Sequence, residues 1–382
     1  MNLLRVIHVI HSLAPGGAEA VLVDLAEVAE EVNLEIAVMP LVRISDERYV
    51  RAVRSRGVPV LGLDLTSRWD PRVFPLALTA LRAWRPDIVH THLKHADIVG
   101  AVAARRLDVP MVSTLHIGHD NPGQLYRAKR LLAAAARLST AARTISVSDA
   151  QRRWYLDAFP RADPHRVVTV HNGVLDPRGR SPGEFDRGTL RRSIGVPEDA
   201  VLAAQVGLCR PGKGHADLIT AMRLLGADSG VHLAIAGDGP LRAELAASAR
   251  DVAERVHFLG YRSDVPALLE AADLVVQPSE YDALPTTLIQ ALAAGRPSVA
   301  TEVGGIPEIV TSDVGILVRA REPAALAAAI RELAADPQRR QRLGGAARQR
   351  FESRFHAHAW ARSLGELYAE TLKETGQRWR DR

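Results

Sequence analysis

The sequence predicts an α/β protein made of two successive doubly wound, Rossmann-like domains facing each other across a cleft. Three observations carry this expectation. Short apolar runs alternate with helical periodicity along most of the chain, the pattern of a parallel sheet with helices on both faces. The alternation dissolves once, around Asp176–Pro197, where LDPRGRSPGEFDRG and GVPEDA are rich in Pro, Gly and charge, and then it restarts. Finally, 382 residues with 47% hydrophobic content exceed one ordinary core and exclude a disordered chain. The first domain is therefore placed at 1–175 and the second at 176–357.

In the first domain, Leu4–Leu13, Glu35–Leu41, Asp87–His92, Met111–His116, Thr144–Ser148 and Val167–His171 read as strands. After the first strand, Ala18, Val21, Leu22, Leu25, Ala26 and Ala29 repeat at helical spacing. The turn between them, Pro15-Gly16-Gly17-Ala18-Glu19, lets backbone amides approach an anion at a helix N-terminus. A tight turn that binds nothing fits equally well. No G-x-G-x-x-G fingerprint is present and no acid ends the second strand, so a nicotinamide dinucleotide is disfavoured.

In the second domain, Val201–Leu208, His232–Ala236, Val256–Leu259, Leu274–Gln277, Ser298–Thr301 and Gly315–Val318 read as strands, and the chain from about Ala324 reads as helical. Arg210-Pro211-Gly212-Lys213-Gly214 opens a helix whose buried stripe is Leu218, Ala221, Met222 and Leu225. Arg210 and Lys213 then stand at its positive end, where a diphosphate is clamped. Further on, Asp282 precedes a helix entered at about Thr286, and Gln290 lies one turn inside it. The amides of Thr286 and Thr287 are placed to bind oxyanions, while Asp282 and Gln290 suit sugar hydroxyls. Capping of that helix by Asp282 is the alternative. In open α/β sheets ligands sit beyond the carboxyl ends of the strands, and these residues fall there.

His92 and His116 each close a first-domain strand and face the expected cleft, with His119 and Asp120 as further acceptor-side candidates. His8, His90 and His171 fall within strands and read as structural. A metal site is not expected, because no histidine pair has helical i, i+4 spacing with a nearby acid and Cys209 is the only cysteine. That cysteine reads as a small buried hydrophobe in a protein from a reducing compartment, with the cytoplasm as the default address. Net charge is +5 but aromatics are only 4%, which argues against a nucleic-acid partner. No run of eighteen apolar residues could span a membrane. Tyr126–Leu138, with Arg127, Lys129, Arg130 and Arg137 beside Leu131 and Leu132, reads as a basic amphipathic helix able to touch a membrane from the inner face, or as an ordinary surface helix.

Taken in order, GGAE at Gly16–Glu19, TLH ending at His116, SVSD at Ser146–Asp149, HNGV at His171–Val174, KGH at Lys213–His215, AGDGP at Ala236–Pro240, PSEYDALPTTLIQALAAG from Pro278 and VGGIPEIV from Val303 resemble a retaining, metal-independent, family-4-type glycosyltransferase of the GT-B fold. The resemblance covers almost the whole chain. It implies a nucleotide-sugar donor held mainly by the second domain, an acceptor with a free hydroxyl held by the first (lipid-linked in many relatives), and no cofactor. The helix of about 358–382 is set against the first domain. The resemblance also implies diphosphate contact at Gly17, sugar contact at His116, and a base bordered by Tyr261–Arg262. The family's Glu-x7-Glu pair falls on Asp282 and Gln290, and its usual arginine falls on Leu208, with Arg210 as the replacement.

The expected reaction moves a hexose-type sugar from a nucleoside diphosphate to an acceptor hydroxyl with retention, in glycoconjugate, polysaccharide or natural-product synthesis. His116 and Asp282 orient the hexose, while Lys213, Arg210 and nearby amides stabilise the departing diphosphate. Two competing readings are a sugar-nucleotide epimerase or hydrolase on the same fold, and a nucleotide-sugar-binding protein with a degenerate site. A two-carboxylate hydrolase would need a second acid near Asp282, and the sequence offers no convincing one.

Overall fold

The computed structural model describes residues 3–14, 16–44, 46–67, 70–116, 124–177 and 186–376, with backbone only for 124–129. The chain divides into two compact units, Met1–Leu175 with Ala357–Arg382, and Asp176–His356.

The first unit holds a six-stranded sheet of β1 (Leu4–Ile10), β2 (Leu34–Pro40), β3 (Ile88–His92), β4 (Met111–Leu115), β5 (Ala141–Ser146) and β6 (Val167–Thr169). Its order is β2-β1-β3-β4-β5-β6, and all pairs are parallel. The second holds β7 (Val201–Val206), β8 (Val231–Ala236), β9 (Val256–Gly260), β10 (Leu274–Gln277), β11 (Ser298–Thr301) and β12 (Gly315–Val318). Its order is β12-β11-β10-β7-β8-β9, again wholly parallel. Helices follow the strands, so strands such as β3, β4 and β10 are buried along their whole length. β10 is the near-continuous apolar run that such burial favours, whereas β3 and β4 also bury His90, Thr91, His92, Ser113 and Thr114, each of them hydrogen-bonded.

Most strands start and stop within a few residues of the expected bounds. β1 stops at Ile10, because the next residues leave the sheet for the Gly16 turn, and β6 stops at Thr169, outside His171. The region read as a linker contains a helix, Arg187–Ser193. Asp186 caps it, accepting bonds from the N–H groups of Gly188 and Thr189. Arg187 and Arg191 reach from it to Asp273, just ahead of β10. The charges that suggested a solvated linker are tied into the second unit.

The last helix, Ala357–Thr375, belongs to the first unit. Its Trp360, Ala361, Leu364, Leu367 and Tyr368 share a buried core with Val21, Leu22 and Leu25 of the Gly17–Val28 helix and with Val6 and Ile10 of β1. Among the described residues, no helix is long and apolar enough to cross a membrane.

Candidate active site

In the second sheet the connections run in opposite directions from the adjacent strands β7 and β10. Such a switch point opens a crevice at the strand ends, where α/β proteins bind ligands. The loop after β7 carries Arg210 and Lys213 into the His215–Leu225 helix, and the loop after β10 carries Asp282 into the Thr286–Ala293 helix. The loops touch at Gly214, which has φ +70°, and a Cβ there would lie 1.8 Å from the Pro278 carbonyl oxygen. Only glycine permits both the left-handed backbone and that approach. The Glu280 N–H donates to the Gly212 carbonyl at 2.9 Å, tying the loops again.

This contact places Lys213 Nζ 2.6 Å from Asp282 Oδ2, with side chains 15% and 16% exposed. The carboxylate also accepts from Ser279 Oγ at 3.2 Å and, more weakly, from Gln277 Nε2 at 3.5 Å. Its backbone is pinned by the Gly305 N–H, which donates to the Asp282 carbonyl at 3.0 Å. Asp282 is therefore not a helix cap. Pro285 takes that place and no side chain caps the helix, leaving the amides of Thr286 and Thr287 to water or a ligand. The Thr287 hydroxyl donates to the Val206 carbonyl at 3.3 Å, so this residue offers a ligand its amide. Gln290 is half-buried, and Arg210 and Tyr261 are exposed. Arg262 is half-buried and paired with Asp264. Leu208, where the resemblance places an arginine, is 51% exposed.

His215 received no role from the sequence. It is buried, and neither ring nitrogen has a partner among the described residues. Burial first, and then the Lys213 charge, lower its pKa to about 4. The KGH spelling was its only signal. A cavity of about 600 Å³ in this unit is lined by Asp273, Arg296, Pro297, Arg340 and Arg348. It lies at the amino ends of β10 and β11, away from Lys213 and Asp282.

In the first sheet the switch falls between β1 and β3. Gly16 takes the cap position of the Gly17–Val28 helix, and the space a side chain would need there is filled by the Glu19 carboxylate. Burial raises the Glu19 pKa. At Gly17 a Cβ would meet nothing within 4 Å, so its approach stays open to an anion.

The strand-end histidines form a chain. His92 Nδ1 lies 2.9 Å from His116 Nε2, and His92 Nε2 lies 2.9 Å from His8 Nδ1. His92 is only 4% exposed, and both its ring nitrogens are taken. β3 holds it beneath His116, with both ring nitrogens turned to other histidines rather than to an acceptor. His90 bonds Tyr368 Oη at 2.6 Å and Thr114 Oγ1 at 2.7 Å. Burial lowers the pKa of His116 to about 4 and of His8 to about 3. Burial, and then neighbouring imidazoles, hold His90 and His92 well below the usual range. His119 and Asp120 lie outside the described residues.

Ligand atoms of His8, His90 and His92 lie within 4.8 Å of one another, a cluster that a search for helical spacing passes over because it spans two strands. Its nitrogens are largely engaged by each other, Tyr368, Thr114 and His116. The basic-helix reading of Tyr126–Leu138 loses Arg137, which turns inward to Asp97 at 2.6 Å and is almost fully buried. Leu131 and Leu132 are exposed, and the side chains of Arg127 and Lys129 lie outside the description.

Residues 186–350 match the profile "Glycosyl transferases group 1", and residues 15–175 match "Glycosyltransferase Family 4". A D-inositol 3-phosphate glycosyltransferase of Streptomyces coelicolor is 28% identical over 96% of this chain and 89% of its own length. D-inositol 3-phosphate glycosyltransferase 1 of Catenulispora acidiphila is 33% identical over 74% of this chain and 71% of its own. The crystal structure of Anabaena HepE in complex with UDP-glucose superposes with a TM-score of 0.81 at 23% identity, covering 97% of this chain and 99% of that one.

Proposed function

Since this chain belongs to the group 1, family 4 glycosyltransferases, we propose that it moves a hexose from a nucleoside diphosphate to an acceptor hydroxyl, with retention and without a metal. The observation that carries this reading is the Lys213–Asp282 pair at the switch point of the second sheet, flanked by two helix N-termini.

Breaking the anomeric C–O bond sends its electron pair to the diphosphate and leaves positive charge on the ring. Lys213, Arg210 and the amides of Thr286 and Thr287 supply positive potential for the leaving group, and the Gly17 amide is assigned the same task on the first unit. Such preorganised donors are each worth about 3–4 kcal/mol of barrier height. Asp282 accepts from sugar hydroxyls, Gln290 from or to the ribose, and Tyr261 and Arg262 border the base. His116 orients the hexose. The acceptor oxygen bonds to the anomeric carbon on the face the diphosphate leaves, and its proton passes to a diphosphate oxygen, so no protein nucleophile is needed.

The UDP-glucose complex of Anabaena HepE makes uridine diphosphate sugars the first donors to test, and the named relatives make an inositol phosphate the first acceptor. The purified protein with UDP-glucose and that acceptor, in excess EDTA, should yield an α-linked product whose anomeric configuration is read by proton NMR. A β-linked product, loss of turnover in EDTA, or release of free hexose at the same rate without acceptor would each contradict the proposal.

A further inference from the structure

Four imidazoles packed on β1, on β3 and just past the end of β4 raise a question that transfer chemistry leaves open: which proton does His116 show to its ligand? We propose that His8 and His92 are positioning residues forming a tautomer relay that fixes His116 as an Nδ1–H donor. The inference rests on the reading that His116 orients the hexose.

A neutral imidazole carries one N–H and one lone pair. In the chain His8–His92–His116, each contact is nitrogen to nitrogen at 2.9 Å, so one member of each pair donates and the other accepts. Only two arrangements satisfy both contacts with neutral rings. In one, His8 Nδ1–H donates to His92 Nε2, His92 Nδ1–H donates to His116 Nε2, and His116 carries its own proton on Nδ1. In the other every proton is reversed, and His116 presents a bare Nδ1 lone pair.

The inner end of the chain decides between them. His8 is fully buried and its Nε2 has no partner among the described residues. The void beside the cluster is only about 10 Å³, lined by the four histidines, Thr114 and Asn172 and by apolar side chains such as Val21, Leu22, Leu25 and Leu364. That volume is at the lower bound for a water. The first arrangement leaves a lone pair at that nitrogen and the second leaves an N–H. Orphaned buried donors are rarer than under-satisfied acceptors, so the first is favoured. His116 Nδ1 has no partner among the described residues and is the end from which a proton reaches a ligand. His90, braced between Tyr368 of the last helix and Thr114 of β4, packs against both His8 and His92, with ring centroids 4.9 and 4.3 Å away. It holds the relay in line.

The test uses full-length protein and two variants of nearly equal size. His92→Asn puts an amide N–H where Nδ1–H stands and keeps the bond to His116. His92→Leu removes it. Long-range proton–nitrogen NMR of the His116 ring should show the Nδ1–H tautomer in wild type and in His92→Asn. His92→Leu should show a shift toward Nε2–H. The relay also predicts that kcat/KM falls about tenfold or more in His92→Leu, and by less in His92→Asn, as loss of one buried hydrogen bond implies. An Nε2–H tautomer in wild type, or one unmoved by His92→Leu, overturns the relay. If the tautomer moves as described while kcat/KM does not, the relay stands and the role of His116 in transfer falls.

Discussion

Replacing Lys213 by alanine separates what the Lys213–Asp282 pair does for stability from what the lysine does for transfer. Both side chains are about 85% removed from water. Breaking a fully buried pair by deleting one member costs about 3–5 kcal/mol, because a charge is stranded. Here Asp282 keeps the Ser279 and Gln277 bonds and some contact with solvent, so about 1–3 kcal/mol is expected. For a unit of this size that is a fall in Tm of about 2–4 °C per kcal/mol. Adding Asp282→Ala removes the stranded carboxylate, so the double variant should be no less stable than Lys213→Ala. A double-mutant cycle in urea should give a coupling of about 1–2 kcal/mol. Activity behaves otherwise. Lys213→Ala should lower kcat about 100-fold or more, and the second change should not restore it. Strict additivity in the cycle, or undiminished turnover by Lys213→Ala, would refute the reasoning.

Three further outcomes follow from the same geometry. The folded pKa values of His8 and His116, about 3 and 4, lie below the ordinary 6.5, so the unfolded chain binds protons first as the pH falls. Their contribution to stability is complete above about pH 6.5 and is lost on acidification toward pH 4, at roughly 1.4 kcal/mol per pH unit for each histidine; urea melts that coincide at pH 7 and pH 5 would exclude this. Gly214→Ala strains a left-handed residue and drives a Cβ into the Pro278 carbonyl. It should cost about 2 kcal/mol or more and cut kcat/KM by parting Lys213 from Asp282, whereas wild-type melting and turnover would contradict the contact. Leu364→Ala in the last helix should destabilise the first unit by about 2–5 kcal/mol, measured by chemical denaturation, and an effect under half a kcal/mol would show that the helix does not share that core.

The sheets were readable because short, mainly apolar runs are fenced by turn residues such as Asp273 and Gly295-Arg296-Pro297, even where buried polar residues such as His90 and Ser113 interrupt them. The bounds of β10, β11 and β12 follow from this alone. β1 was read too long since Leu13, though fully buried, continues the apolar run after the ladder has ended. Lys213 and Asp282 were each legible as loop residues at strand ends. Their pairing was not, because it depends on β7 lying next to β10, and sheet order is a long-range property. The histidine chain was hidden for the same reason: His8, His92 and His116 sit on or just past three strands that only the fold makes neighbours. Nothing local marks Arg137 as buried, because its partner, Asp97, lies on another helix. The Arg187–Ser193 helix was missed because its composition imitates a linker, while its stabilising partner Asp273 comes much later in the chain.

The central claim is that Lys213 and the neighbouring helix N-termini grip the diphosphate of a glycosyl nucleotide. Isothermal titration of UDP-glucose, GDP-mannose and ADP-glucose against wild-type protein and Lys213→Ala tests it most directly. The account predicts saturable binding of one of these donors to the wild type, weakened tenfold or more by the substitution, in line with a lost charge-assisted contact of about 1.5–3 kcal/mol. Equal affinity for wild type and variant, or no heat of binding from any of the three, would contradict it.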